Sequence, residues 1–253
     1  MINQLKRKLA EGRVVLGTFI TLNCPDLVEI AGLAGFDYCI IDTEHGPGNP
    51  ESIQHMIRAA ELRGMVPIVR VTDTAATTIL RTLDVGAAGI QVPQVNSPET
   101  AENVVRSAKY FPKGDRGACL TRSSRYGFVP GVAEYFEEAN RETLVILHCE
   151  NRQGLECLDG IAAVDGVDVV FVGPYDLSQS FGIPGQIYHP VMVDAVARAL
   201  AAAKRAGKPA GIFVGSVEEA KARIEQGFSY IAYSTDSLVF AEVCRNIVGG
   251  IKG

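Results

Sequence analysis

Eight short apolar runs, rich in β-branched residues, recur along the chain with longer stretches of helical periodicity between them. The runs are VVLGTFI (14–20), YCIIDT (38–43), VPIVRV (66–71), AGIQVP (88–93), TLVILHCE (143–150), VDVVFVGP (167–174), PAGIFVG (209–215) and YIAYST (230–235). Each is nearly continuous in hydrophobicity rather than alternating, which is the pattern of parallel strands covered by helices. The stretches between them include PDLVEIAGLAGF, ESIQHMIRAAELRG, TTILRTLDVGA, SPETAENVVRSAKYF and SVEEAKARIEQGF. Several open on Pro or Ser and most close on Gly, as helices do. Strict alternation, at about 30 residues per βαβ unit, predicts an α/β chain folded as one (β/α)₈ TIM barrel over residues 1–253. A doubly wound sheet is the alternative, but it usually has fewer strands and often a glycine-rich fingerprint, which is absent here.

Two segments stand outside that repeat. The N-terminal MINQLKRKLAEGRVVLG reads as a short amphipathic helix leading into the first strand, with no apolar stretch of signal-peptide length. Residues 112–142, PKGDRGACLTRSSRYGFVPGVAEYFEEANRE, make a connection long enough to be functional or an interface, with its own helix over VAEYFEEANR.

Composition narrows the function. Hydrophobic residues make up 47% of 253, enough for a large core, and the net charge is −5 without a basic stripe. Nucleic-acid and anionic-membrane partners are therefore not expected, and no segment is long enough to span a bilayer. The six cysteines, Cys24, Cys39, Cys119, Cys149, Cys157 and Cys244, include no Cys-x-x-Cys pair. Buried, reduced thiols and a cytoplasmic location are the expectation.

A barrel of this kind carries its chemistry at the C-terminal ends of its strands. Those positions hold Asp42, Glu44 and His45 after the second strand, Arg70 near the end of the third, and Gln91 with Pro93 on the fourth. His148 and Glu150 end the fifth; Gly173, Pro174 and Asp176 follow the sixth, Phe213 and Gly215 the seventh, Ser234 and Asp236 the eighth. Carboxylates and an imidazole at the end of a buried strand are costly unless they face a cleft. Each also has a structural reading: Asp176 as a helix cap, Arg70 in a purely structural ion pair, His45 as an ordinary loop residue. His55 and His189 are expected to be structural.

Glu150 and Asp176 come from consecutive strands, and two carboxylates without nearby thiols are hard oxygen donors suited to Mg²⁺ or Mn²⁺. Arg70 beside them favours a small substrate with a carboxylate or a developing oxyanion. Metal-stabilised enolate chemistry on a 2-oxo acid follows. None of the eight lysines falls at a strand's C-terminal end, so an imine mechanism is not expected.

IIDTEHGP, IVRV, LDVGAAGIQVPQV, YFPKGDRG, RSSRYG, CENRQGLECLDGIAAVDGVDVVFVGPYDLSQSFG and GFSYIAYSTDS, taken in order, resemble the metal-dependent (class II) pyruvate aldolases. That family includes 4-hydroxy-2-oxoheptanedioate aldolase and 2-dehydro-3-deoxyglucarate aldolase. The resemblance implies a TIM barrel, a homohexamer with swapped C-terminal helices, and a divalent ion (Mg²⁺, Mn²⁺ or Co²⁺). It implies cleavage of a 4-hydroxy-2-oxo acid to pyruvate and an aldehyde. By the same resemblance, Glu150 and Asp176 are the metal ligands, Arg70 holds the keto and enolate oxygen, and His45 is the catalytic histidine with Asp42 in its motif. Asp84 is the acid that pairs with His45, from its own or a neighbouring subunit. Gly173, Pro174 and Tyr175 form the loop that receives the pyruvate carboxylate.

Two positions depart from the family pattern. His148 stands where glutamine is usual, and Tyr175 where alanine is usual. The imidazole is expected to bind substrate as a hydrogen-bond donor in glutamine's place, or to add a base or a third ligand; the tyrosine narrows the mouth. Rival readings are a related 2-oxo-acid decarboxylase or carbon–carbon-forming enzyme, a CoA-thioester lyase, and a non-catalytic ligand-binding barrel.

Overall fold

Residues 3–253 are described in a computed structural model of the protein. The eight apolar runs become β1 (Val15–Ile20), β2 (Tyr38–Asp42), β3 (Val66–Arg70), β4 (Gly89–Val92), β5 (Leu144–Cys149), β6 (Val169–Val172), β7 (Ala210–Val214) and β8 (Tyr230–Thr235). Every neighbouring pair is parallel, and β8 pairs back onto β1, closing the (β/α)₈ barrel. Around it lie α1 (Gln4–Ala10), α2 (Pro25–Ala34), α3 (Pro50–Leu62), α4 (Ala76–Asp84), α5 (Pro98–Ala108) and α6 (Val132–Glu142). They are followed by α7 (Arg152–Glu156), α8 (Leu158–Ala163), α9 (Pro174–Ser180), α10 (Pro190–Arg205), α11 (Val217–Gln226) and α12 (Asp236–Lys252).

The helix boundaries follow from side-chain chemistry. Asn49, Ser97, Asn151, Ser216 and Thr235 each accept a bond from a free N–H in the first turn of the helix they precede. Gly35 and Gly227 close α2 and α11 in the left-handed conformation that favours glycine.

Two apolar layers hold the fold. The outer one packs the outward strand residues against the helices, with Val69, Ile90, Leu147 and Val172 at its centre. The inner one fills the barrel with Phe19, Tyr38, Ile40, Ile68, Ile146, Phe171 and Tyr230, and includes Leu5 and Leu9 of α1. Fitting Phe171 and Tyr230 inside requires Gly211 on β7, where a Cβ would sit 2.8 Å from both rings. Inward positions alternate along each strand. The strand ends therefore carry Asp42, Arg70, Gln91 and His148, all buried, above an apolar interior.

The long connection carries α6 as expected, preceded by a 3₁₀ turn over Arg122–Gly127. All six cysteines are free, but only Cys39 and Cys149 are fully buried; Cys119 and Cys244 are exposed. The expectation of buried thiols fails for those two because they lie outside the strands, in the long connection and on α12.

Candidate active site

β2 and β3 run in register with Asp42 opposite Arg70. The Arg70 guanidinium donates from Nε to Asp42 Oδ1 at 2.8 Å and from Nη2 to Asp42 Oδ2 at 2.5 Å. The pair is a buried two-point fork, the geometry in which arginine is most firmly held. Phe19 lies beneath the guanidinium, its ring centroid 4.9 Å from Cζ. Nη1 is left over, and it sits 3.1 Å from Glu44 Oε2. That oxygen is buried and has no aligned hydrogen-bond donor among the described residues. Burial pushes the Glu44 carboxyl above its ordinary value; Arg70 opposes this and the charge of Glu150 adds to it. For Arg70, burial works against the charged form but is outweighed by Asp42, Glu44 and Glu150, so its pKa is raised.

β4 and β5 supply the adjoining wall, with Gln91 opposite Arg70 in register. His148 Nδ1–H donates to Glu150 Oε2 at 2.6 Å, and the backbone N–H of Gln94 donates to Glu150 Oε1 at 2.7 Å. Gln91 donates from Nε2 to His148 Nε2 at 2.7 Å, while its Oε1 accepts from the Tyr230 hydroxyl at 3.2 Å. Burial alone would raise the Glu150 carboxyl. Hydrogen bonding from His148 and the Gln94 N–H, with the charge of Arg70, holds it below the ordinary value instead. Gly173 makes room for this carboxylate: a Cβ there would come within 3.0 Å of Glu150 Cβ and Oε2.

Asp176 stands in the first turn of α9, half-buried, and no side chain caps that helix. The carboxylate has no hydrogen-bond or ion-pair partner among the described residues, so the capping reading fails. Pro174 opens α9 and lacks an N–H; the free donors there are those of Tyr175 and Asp176. The Tyr175 ring is 51% exposed at the mouth and meets Phe213 edge-on at 5.8 Å.

The chain from residue 15 to residue 242 matches the family described as HpcH/HpaI aldolase/citrate lyase. The chain belongs to that family. Among similar HpcH/HpaI proteins, a hydroxypyruvate/pyruvate aldolase of Pseudomonas aeruginosa is 35% identical, covering 100% of this chain and 94% of its own length. A 5-keto-4-deoxy-D-glucarate aldolase of Citrobacter koseri is 33% identical over 99% of this chain and 96% of its own. The crystal structure of an HpcH/HpaI aldolase from Desulfitobacterium hafniense DCB-2 superposes with a TM-score of 0.95 at 34% identity, covering 100% of this chain and 97% of that one.

In this HpcH/HpaI chain the expected residues divide into two groups. Asp42, Arg70, His148, Glu150, Gly173, Pro174, Tyr175 and Asp176 gather at the C-terminal mouth. His45 is there too, 63% exposed, with Nε2 3.9 Å from Glu44 Oε2. Asp84 is not. It is the last residue of α4, which returns the chain to the N-terminal end of the barrel, and it accepts from Arg116 at 2.7 Å. A His45–Asp84 pair does not form within one chain; only a second copy could bring them together. Asp236 is committed elsewhere, accepting from the N–H groups of Thr21 and Leu22 and from the Thr21 hydroxyl.

The donor set fits a hard divalent cation. Glu150 is an oriented carboxylate, Asp176 an unpartnered one, and Glu44 adds an orphaned oxygen nearby. No group of three or more His, Cys, Asp or Glu forms a ready-made cage among the described residues. Two protein ligands with positions left for water and substrate is the arrangement such an ion tolerates. His148 is not a third ligand here, because both ring nitrogens are already hydrogen-bonded.

Proposed function

We propose that this chain is a divalent-metal-dependent pyruvate aldolase, cleaving a 4-hydroxy-2-oxo acid between C3 and C4 into pyruvate and an aldehyde. The observation that carries this reading is Arg70: two of its nitrogens are fixed by Asp42, and the third, Nη1, lies 3.1 Å from Glu44 Oε2. An anchored guanidinium whose third nitrogen meets only a poorly aligned carboxylate is preorganised for an oxygen that gains charge during reaction.

Glu150 and Asp176 would hold the ion, Mg²⁺, Mn²⁺ or Co²⁺, which when bound supplies Lewis acidity for the developing enolate. Arg70 Nη1 leaves Glu44 and donates to the keto oxygen as its charge grows. The N–H groups of Tyr175 and Asp176 receive the substrate carboxylate. His45 takes the proton of the C4 hydroxyl. The O–H electrons form the aldehyde C=O as the C3–C4 bond breaks, and that bond's pair becomes the enolate. A proton delivered to C3 completes pyruvate. Asp84 of a second copy orients His45 in this scheme.

Assembly belongs to the same proposal. No residue of α12 is buried, and Leu238, Phe240 and Ile251 are 54, 68 and 79% exposed. Leu16 on β1, Ile30 and Leu33 on α2 and Val217 on α11 are uncovered too. Exchange of α12 between copies would cover both faces, supporting a homo-oligomer and, by family resemblance, a hexamer. A cytoplasmic location is proposed with it, its support being six free thiols.

Asp176→Asn is the sharpest variant, because that carboxylate holds nothing in the fold. Together with Glu150→Gln it is expected to reduce metal-dependent pyruvate release by more than about a hundredfold. The thermal midpoint of the metal-free Asp176→Asn protein should stay unchanged. Near-normal turnover in both variants would refute the assignment.

A further inference from the structure

We propose that His148 is a positioning residue for Glu150, the last link of a one-directional hydrogen-bond relay that starts inside the barrel and presets this carboxylate for a cation. The inference rests on the metal-dependent reading above and adds to it a role for His148.

The relay's direction follows from what each group can donate. The Tyr230 hydroxyl donates to Gln91 Oε1, which makes the other end of that amide the NH₂. Gln91 Nε2 therefore donates to His148 Nε2, which must present a lone pair. The ring hydrogen then lies on Nδ1, where it points at Glu150 Oε2. One tautomer satisfies every member, as in the outer-shell contacts that orient metal ligands.

The relay is also held rigid. Gln91 and His148 are inward residues of adjacent strands, His148 one inward step beyond Gln91's register partner Ile146. The Phe171 ring, register partner of His148 on β6, stacks on the imidazole at 4.9 Å and 29°. Tyr230 is itself stacked on Tyr38 at 4.2 Å, and the Tyr38 hydroxyl is fixed to the carbonyl of Ile231. On the far side of the carboxylate, Gln94 reaches Oε1 with its N–H from a left-handed turn at φ 55°. Glu150 thus receives one donor on each oxygen and rests against the backbone at Gly173. It has little rotational freedom left to lose when a cation binds. With both nitrogens engaged, His148 acts through Glu150 and is neither ligand nor base.

The test is Mn²⁺ affinity in the full chain without substrate, read from the electron paramagnetic resonance signal of free Mn²⁺. His148→Phe keeps an aromatic ring against Phe171 but removes the donor, and is expected to weaken Mn²⁺ binding about 10–100-fold. In His148→Asn the amide nitrogen falls close to the place of Nδ1, so most of the affinity should return. Gln91→Met leaves His148 and Glu150 intact and frees only the ring's other end; it should weaken binding in the same direction by a smaller factor. Equal affinity in wild type and His148→Phe would overturn the proposal, as would equal weakness in the Phe and Asn variants, which would assign the effect to packing. Wild-type protein that binds no Mn²⁺ would overturn the relay and the metal site together. Wild type that binds Mn²⁺ but performs no aldol chemistry would refute the aldolase reading and leave the relay standing.

Discussion

Glu44 lies half-buried beside the one nitrogen of Arg70 that Asp42 does not hold, and its Oε2 has no aligned donor among the described residues. A carboxyl raised by burial binds its proton more tightly in the folded protein than in the unfolded chain. Below the unfolded value, near 4.5, both states are protonated and there is no penalty. As pH rises through that value and then through the higher folded one, ionisation favours the unfolded chain. Glu44 therefore lowers stability at neutral pH. Glu44→Gln is expected to raise the thermal midpoint of the metal-free protein at pH 7, with the gain vanishing below about pH 4. A variant less stable at pH 7 than wild type would show that the ion pair with Arg70 outweighs burial.

Several site residues were legible in the sequence for the reason that makes Glu44 costly. Asp42, Arg70, His148 and Glu150 each interrupt or end an apolar run, where desolvation demands a partner or a task. The partners were less visible. Gln94 contributes a backbone N–H, which any residue carries, and only the turn after β4 aims it at Glu150. Glu44 takes no role from the sequence, because its position relative to Arg70 depends on the loop path. His45 and Asp84 read as a pair by resemblance, yet α4 carries Asp84 to the opposite end of the barrel.

At the scale of elements, the strands were the most legible feature, since a parallel strand covered on both faces leaves an unbroken apolar run. The 3₁₀ turn at Arg122–Gly127 was not. It places Arg125 and Tyr126 at φ 53° and 56°, a conformation that non-glycine residues rarely announce. α12 is a different case: its helical pattern is plain, but none of its apolar residues is buried among the described residues. Phe240→Glu combined with Ile247→Glu should convert the assembly measured by light scattering into a smaller species while leaving the barrel's far-ultraviolet circular dichroism intact. An unchanged mass would show that α12 does not hold copies together.

For the whole molecule, the closed barrel explains why distant segments share one mouth. Parallel strands all deliver their C-terminal ends to the same face, so Asp42, Arg70, Glu150 and Asp176, spread over more than half the sequence, become neighbours. α1 contributes Leu5 and Leu9 to the layer beneath, keeping the polar groups above a dry interior. That arrangement makes an enolate affordable: charge develops against fixed donors rather than mobile water. Deuterium exchange at pyruvate C3, followed by proton NMR in D₂O, tests this most directly because it needs no knowledge of the aldehyde. Metal-stripped protein should exchange no faster than buffer, and restoring Mg²⁺ or Mn²⁺ should bring rapid loss of the methyl signal. Folded, metal-loaded protein that leaves the methyl signal untouched would contradict enolate formation at this site.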